Sequence, residues 1–341
     1  MAQTTLEKHF APFRDNTVGL DATFEGPYGQ KKILYADWIA SGRLYKPIED
    51  RLSRDIGPYV ANTHTETSYT GAVMTQAYHQ AREQIKAHLN ARQEDVLIPT
   101  GTGMTGAVLK FQRILGLKLP EQFNKRVSIA DEERPVVFIS HMEHHSNQTS
   151  WLETTAEVVQ IHADGAGLLD LDHLRELLEA YRERPVKIAS ITSCSNVTGI
   201  FTPYHQVAAL MHAHGGVCFV DFACSGPYVP IDMHPTDNPD GYLDALFFSP
   251  HKFLGGPGSP GILVFSRDLY KNEVPDQPGG GTVSWTNPWG GHRYVEDIET
   301  REDGGTPGFL QTIRAALAMK LKEQMDPQKM QAREKEQLDR L

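Results

Sequence analysis

One lysine, Lys252, stands in the run Ser249-Pro250-His251-Lys252-Phe253-Leu254-Gly255-Gly256-Pro257-Gly258-Ser259-Pro260-Gly261, between the apolar stretches Leu243–Phe248 and Ile262–Phe265. The glycines and prolines argue against a helix, and the flanks read as buried strands. Lysine rarely enters such surroundings without a chemical reason. Desolvation favours the free amine, which adds to aldehydes as a Schiff base. A solvated turn is the plainer alternative.

Four further polar stretches also follow apolar runs. Gly101-Thr102-Gly103-Met104-Thr105-Gly106 comes after Val96-Leu97-Ile98. It opens a helix, whose free N–H groups favour phosphate, although a simple helix cap would look the same. It has neither the Gly-Lys-Ser/Thr of a nucleotide loop nor the glycine spacing of a dinucleotide site. His141-Met142-Glu143-His144-His145-Ser146-Asn147 follows Val136–Ser140. Zinc is one thought, but HExxH is absent and adjacent loop histidines share an ion poorly; an imidazole that stacks on an aromatic ligand is the other use. Ser193-Cys194-Ser195-Asn196 follows Ile188–Thr192 and suits a ring hydroxyl, a carboxylate or an Asx turn. Asp221 ends Val217–Val220, and a buried acid there needs a partner, which a protonated pyridine nitrogen would supply.

These residues need a scaffold that brings strand ends together. Seven apolar segments, near 96–98, 136–140, 158–161, 188–192, 217–220, 245–248 and 262–265, alternate with amphipathic helices. That pattern predicts an α/β fold, a mostly parallel seven-stranded sheet between helices, with ligands at the carboxyl ends. The last two segments are too close for a helical crossover, so one antiparallel strand is expected. A helix is expected over Tyr69–Leu89 with Val73, Ala77, Ile85 and Leu89 inward. A second is expected from Leu171 to Tyr181, capped by Asp170. Ile33–Asp37 reads as a short strand, and Lys329–Leu341 as a charged helix that must lean on something.

Taken together the strand ends offer phosphate donors, a stacking ring, a hydroxyl partner, an acid for a ring nitrogen and an amine for an aldehyde. That set fits pyridoxal 5′-phosphate. From Tyr35-Ala36-Asp37-Trp38-Ile39-Ala40-Ser41 to Gly304-Gly305-Thr306-Pro307 the chain resembles the class V aminotransferases of fold type I, the aspartate aminotransferase-like pyridoxal-phosphate enzymes. It is most similar to their cysteine desulfurase and selenocysteine lyase branch, and the S-x-H-K-x-x-G-x-x-G pattern at Ser249–Gly258 is the most specific mark.

The resemblance implies that Lys252 is the Schiff-base lysine, with His144 stacked on the cofactor ring and Asp221 paired to its nitrogen. It further implies that Thr102, Gly103, Ser249 and His251 hold the phosphate and that Asn196 lies near the ring hydroxyl. Gly279-Gly280-Gly281-Thr282 resembles the segment that reaches a neighbouring subunit's phosphate, so a homodimer is expected, with Thr282 serving the other site. Cys224 departs from the family, which has glutamine or histidine there; a small buried residue and a reactive thiol are both open. Asn62-Thr63-His64 resembles a substrate-side loop. The expected chemistry is C–S or C–Se cleavage of a small L-amino acid. Amino transfer to a 2-oxo acid, or an inactive cofactor-binding scaffold, are the alternatives.

By the same resemblance, residues 1–45 form an N-terminal arm, 46–312 the cofactor-binding large domain, and 313–341 connecting helices of a small C-terminal domain largely absent from this chain. A formal charge of -10 and a pI near 5.8 argue against nucleic acid or an anionic membrane as partner. No apolar run approaches the roughly 18 residues of a membrane span, and the start lacks the order of a signal peptide. Three cysteines without metal or disulfide spacing suggest a reduced, cytoplasmic setting.

Overall fold

The computed structural model describes residues 5–63, 67–124 and 126–340. Its centre is a seven-stranded sheet. In chain order the strands are β1 Val96–Thr100, β2 Val136–Ile139, β3 Glu157–Gln160, β4 Lys187–Thr192, β5 Val217–Asp221, β6 Ala245–Phe248 and β7 Gly261–Phe265. They lie in the order β1-β7-β6-β5-β4-β2-β3. Only β7 runs antiparallel to its neighbours, β1 and β6. The other six strands therefore present their carboxyl ends at one edge.

Period-two alternation divides the core between the two faces. Val96, Ile98, Phe219 and Phe247 meet Phe111 and Trp151 on one side; Leu97, Val220, Leu246 and Phe248 meet Met211, Ile85 and Met319 on the other. The helices concerned are Gly103–Ile114 and His145–Leu152 on the first face, and Tyr69–His88, Tyr204–Ala213 and Phe309–Met325 on the second.

Three local expectations need correction or sharpening. Ile33–Asp37 is not a strand; the hairpin lies just before it, Thr23–Gly26 against Gly29–Lys32, because Gly26-Pro27-Tyr28-Gly29 supplies the turn. Helix Tyr69–His88 is rotated from the expected face: Met74, Tyr78, Ala81 and Ile85 are buried, whereas Val73 and Ala77 are only half-buried. Two charged residues, Arg82 and Lys86, go inside on that face because both pair with Glu299. The charged C-terminal helix, Pro327–Leu338, leans on the N-terminal helix Thr5–Asp15 through Arg333 and Glu7. Asp170 caps helix Leu171–Ala180 as expected, accepting from the N–H groups of Asp172 and His173 at 2.9 and 3.0 Å.

A buried ion network fastens helix Gly103–Ile114 to the segment beyond β7. Lys110, 1% exposed, lies 2.9 Å from Glu302 and 3.4 Å from Asp276, and Arg113 also donates twice to Asp276. Glu302 further accepts from the Tyr270 hydroxyl at 2.8 Å. Lys110→Met would leave Glu302 buried without its cation. Removing one partner of a buried pair costs about 3–5 kcal/mol, and the urea midpoint should fall accordingly. A loss below about 1 kcal/mol would mean that water reaches the network.

Candidate active site

The loop that carries the lysine is held by close backbone packing. Its Pro250–Lys252 segment is a single 3-10 turn, and Gly42 donates its N–H to the His251 carbonyl at 2.9 Å. A Cβ on Gly256 would sit 1.9 Å from the Pro250 carbonyl oxygen, so only glycine fits the return of the loop. Lys252 and His251 emerge half-buried at the carboxyl edge of the sheet. His251 is held below its ordinary pKa by burial and then by the Lys252 charge.

Ser249, on the same loop, joins the lysine to the start of helix Gly103–Ile114: its Oγ accepts from the Met104 N–H at 2.8 Å. Gly103 has φ +61°, and a Cβ there would lie 2.9 Å from Ser249 Oγ. A glycine in the left-handed region thus leaves a cradle beside a helix N-terminus, with the Thr102 side chain not used in capping.

The segment after β2 is anchored by Glu143. The residue as a whole is half-buried, but its carboxylate is enclosed. It accepts from Ser140 Oγ (2.5 Å), Asn147 Nδ2 (2.7 Å) and the Thr192 N–H (2.9 Å). His144 then stands as N-cap of helix His145–Leu152, its Nδ1 accepting from the Ser146 N–H at 3.1 Å. Partial burial and the Lys252 charge lower its pKa, so a neutral ring with its proton on Nε2 is favoured. His141 serves a different end from His144, bonding the Gly167 carbonyl through Nε2. Among the described residues no three metal-ligating side chains converge.

Asp221 ends β5 in register with Thr192 of β4. It is 2% exposed, and its Oδ1 accepts from the Ala223 N–H at 2.8 Å. Burial pushes its pKa up to about 7 and Glu143 adds to this, while Lys252 opposes it. The Ala223 N–H is a neutral donor, so the buried carboxylate still gains from a cationic one.

Thr102, Gly103, His144, Asn196, Asp221, Cys224, Ser249, His251 and Lys252 line one cavity of about 390 Å³. Thr282 does not: it is buried, with its hydroxyl donating to the Gly279 carbonyl at 2.7 Å. Ile39, Ala40, Thr105, Ser146, Thr192, Ala223 and Cys194 also line the cavity and were not singled out by sequence reasoning. Thr105, Ser146 and Cys194 had a signal, as members of the polar stretches after β1, β2 and β4. A second cavity of about 800 Å³ adjoins the first, sharing Ile39, Cys194, Asn196 and Cys224, and extends past Trp38, Phe201 and Tyr228 to Arg333. His64 lies outside the described residues.

The cavity's donor set fits pyridoxal phosphate on the structure's own terms. It combines an enclosed acid, a glycine cradle at a helix N-terminus and a lysine loop in contact with that cradle. Among the described residues no helix is long and apolar enough to cross a membrane.

Comparison with known proteins gives the family. The chain is 27% identical over 302 residues to a probable cysteine desulfurase of Staphylococcus epidermidis, a match spanning 86% of this chain and 67% of the relative. A probable cysteine desulfurase of Staphylococcus aureus is 26% identical with the same coverage. In fold it is similar to a cysteine desulfurase from Thermococcus onnurineus, with TM-score 0.68 and 20% identity over 86% of this chain and 68% of that one. A cysteine desulfurase from Escherichia coli superposes with TM-score 0.67 and 23% identity, covering 91% of this chain and 71% of the other. The profile described as aminotransferase class-V matches residues 34–341, and on that match the chain belongs to the class V aminotransferase family.

Proposed function

We propose that this chain binds pyridoxal 5′-phosphate and acts on a small L-amino acid, breaking the C–S bond of cysteine or the C–Se bond of selenocysteine. The observation that carries the reading is Asp221. It is an enclosed carboxylate with a raised pKa, accepting from the Ala223 N–H, in the same cavity as Lys252. Its placement calls for a cationic ring N–H. The names of the similar proteins support the substrate class.

Bound here, the cofactor would supply an aldehyde for amines and a ring that withdraws electrons from the substrate α-carbon. Asp221 would accept the ring N–H and keep that proton in place. Thr102, Gly103, Ser249 and His251 would hold the phosphate, Asn196 the ring hydroxyl, and the neutral His144 ring would offer a flat face. Lys252 would hold the aldehyde carbon at rest and, once released by the substrate amine, would move the α-proton. We also infer a homodimer in which Gly279–Thr282 approaches the other copy's site. A single-copy mass by sedimentation would remove that inference.

The test is to load the protein with pyridoxal phosphate, add cysteine or selenocysteine with a reductant, and measure products. Alanine with sulfide or selenide is expected. New amino acid formed only from a 2-oxo acid would replace the lyase reading with amino transfer. Cofactor retention with no product from any amino acid would leave a binding scaffold.

A further inference from the structure

Cys194 and Cys224 lie on different loops, yet the sheet brings them together. β4 and β5 are parallel neighbours with Thr192 opposite Asp221, and such strands run about 4.8 Å apart. Beyond the strand ends the loops stay joined. Ser193 donates both its N–H and its hydroxyl to the Asp221 carbonyl, each at 2.9 Å, and the hydroxyls of Ser193 and Ser225 are 2.5 Å apart. These serines each adjoin one of the cysteines. Hydrogen-bond sharing between the two side chains lowers the pKa of the Cys194 thiol and raises that of Cys224. Both are buried against solvent, and both line the cavity of Lys252 and the larger cavity beside it.

We propose that Cys194 and Cys224 form a reactive dithiol, a modification site at which a small disulfide is reduced and the pair closes to an intramolecular disulfide. The proposal goes beyond the reaction assigned above and does not depend on what occupies the cavity.

The Cys194 thiolate attacks one sulfur of the incoming disulfide. That S–S bond breaks, one small thiol leaves, and a mixed disulfide remains on Cys194. Cys224 then loses its proton to solvent and attacks the Cys194 sulfur, expelling the second small thiol. Two protein thiols are oxidised and one disulfide is reduced to two thiols. The order follows from the pair itself. The hydrogen bond from Cys224 lowers the pKa of Cys194 and that sharing raises its partner's, so Cys194 is the attacking group. Closure ties the loop carrying Asn196 to the turn that follows Asp221.

Cys218 is a control within the same chain. It lies fully buried on β5, with its thiol pushed well above the ordinary range by burial. The experiment treats the full chain with bis(hydroxyethyl) disulfide, alkylates remaining thiols and maps them by mass spectrometry. Free thiols should fall from three to one, with Cys194 linked to Cys224, Cys218 alkylated after unfolding, and reduction restoring all of them. The pair should react at least about tenfold faster than Cys218. Cys224→Ser should stop at a mixed disulfide on Cys194, and Cys194→Ser should leave Cys224 unreacted. A cross-link involving Cys218, a lasting mixed disulfide in the parent protein, or three free thiols after treatment would each overturn the proposal. The first readout uses the parent protein alone, so it stands even where a variant folds poorly.

Discussion

Lys252→Ala is expected to abolish turnover, by at least about a thousandfold, because one amine is asked both to hold the aldehyde carbon and to move the α-proton. The same substitution should remove the covalent attachment of added pyridoxal phosphate. After borohydride, the parent protein should carry the cofactor on Lys252 and the variant should carry none. Lys252→Arg separates charge from nucleophilicity: it keeps a cation beside Asp221, His144 and His251 but cannot form the Schiff base. It should therefore retain some reversible binding while being as inactive as the alanine variant.

The competitor to exclude is Lys322, which burial brings down to a pKa of about 7, so that a neutral amine is available on that side chain. It is, however, committed to the Val229 carbonyl at 2.5 Å and lies beside His88 in a different cavity. A borohydride-fixed chromophore of unchanged intensity in Lys252→Ala, mapping to Lys322 or elsewhere, would end the assignment of Lys252.

How far the site could be read from sequence depends on how each residue is placed. Residues that follow a strand directly were legible, because the strand announces itself by composition and its end is the ligand edge: Gly103 after β1, Asp221 at the end of β5 and Ser249 to Lys252 after β6 all share one cavity. Residues brought in laterally were not. Ile39 and Ala40 enter from an irregular segment that has no periodic signal. Thr105 and Ser146 meet at 2.7 Å only because two helices start side by side. Glu143 looked like a metal-ligand candidate, whereas its carboxylate turns inward to join β2, β4 and helix His145–Leu152. The rotated face of helix Tyr69–His88 has a similar origin. Hydrophobic periodicity named only Val73, Ala77, Ile85 and Leu89 as inward, whereas the burial of Arg82 and Lys86 depends on Glu299, more than two hundred positions away. Such long-range compensation leaves no local trace.

The largest pH effect should come from Asp221. Its folded-state pKa of about 7 stands above its ordinary 3.8. Between those values the folded cofactor-free chain holds a proton that the unfolded chain has released, so stability falls as pH rises through that window. The full difference, about three pH units, corresponds to roughly 4 kcal/mol above pH 7. Asp221→Asn removes the charge while keeping the size and an acceptor for the Ala223 N–H. Matched to the protonated parent below pH 3.8, it should already be more stable by about 1.5 kcal/mol at pH 5 and by up to roughly 4 kcal/mol at pH 8, read as urea midpoints. Some slope should survive, since burial also raises the Glu143 acid in contact with the same strand ends. With pyridoxal phosphate present the order should reverse. The parent carboxylate then has a ring N–H to face, whereas the amide cannot carry the opposing charge, so the variant should bind more weakly and turn over at least about a hundredfold more slowly. Identical pH–stability curves for parent and variant would mean that the carboxylate is ionised there without cost, and the case for a missing cationic partner would fall with it. A stabilised variant that has lost the reaction would instead identify Asp221 as a residue kept at the expense of stability for what it holds.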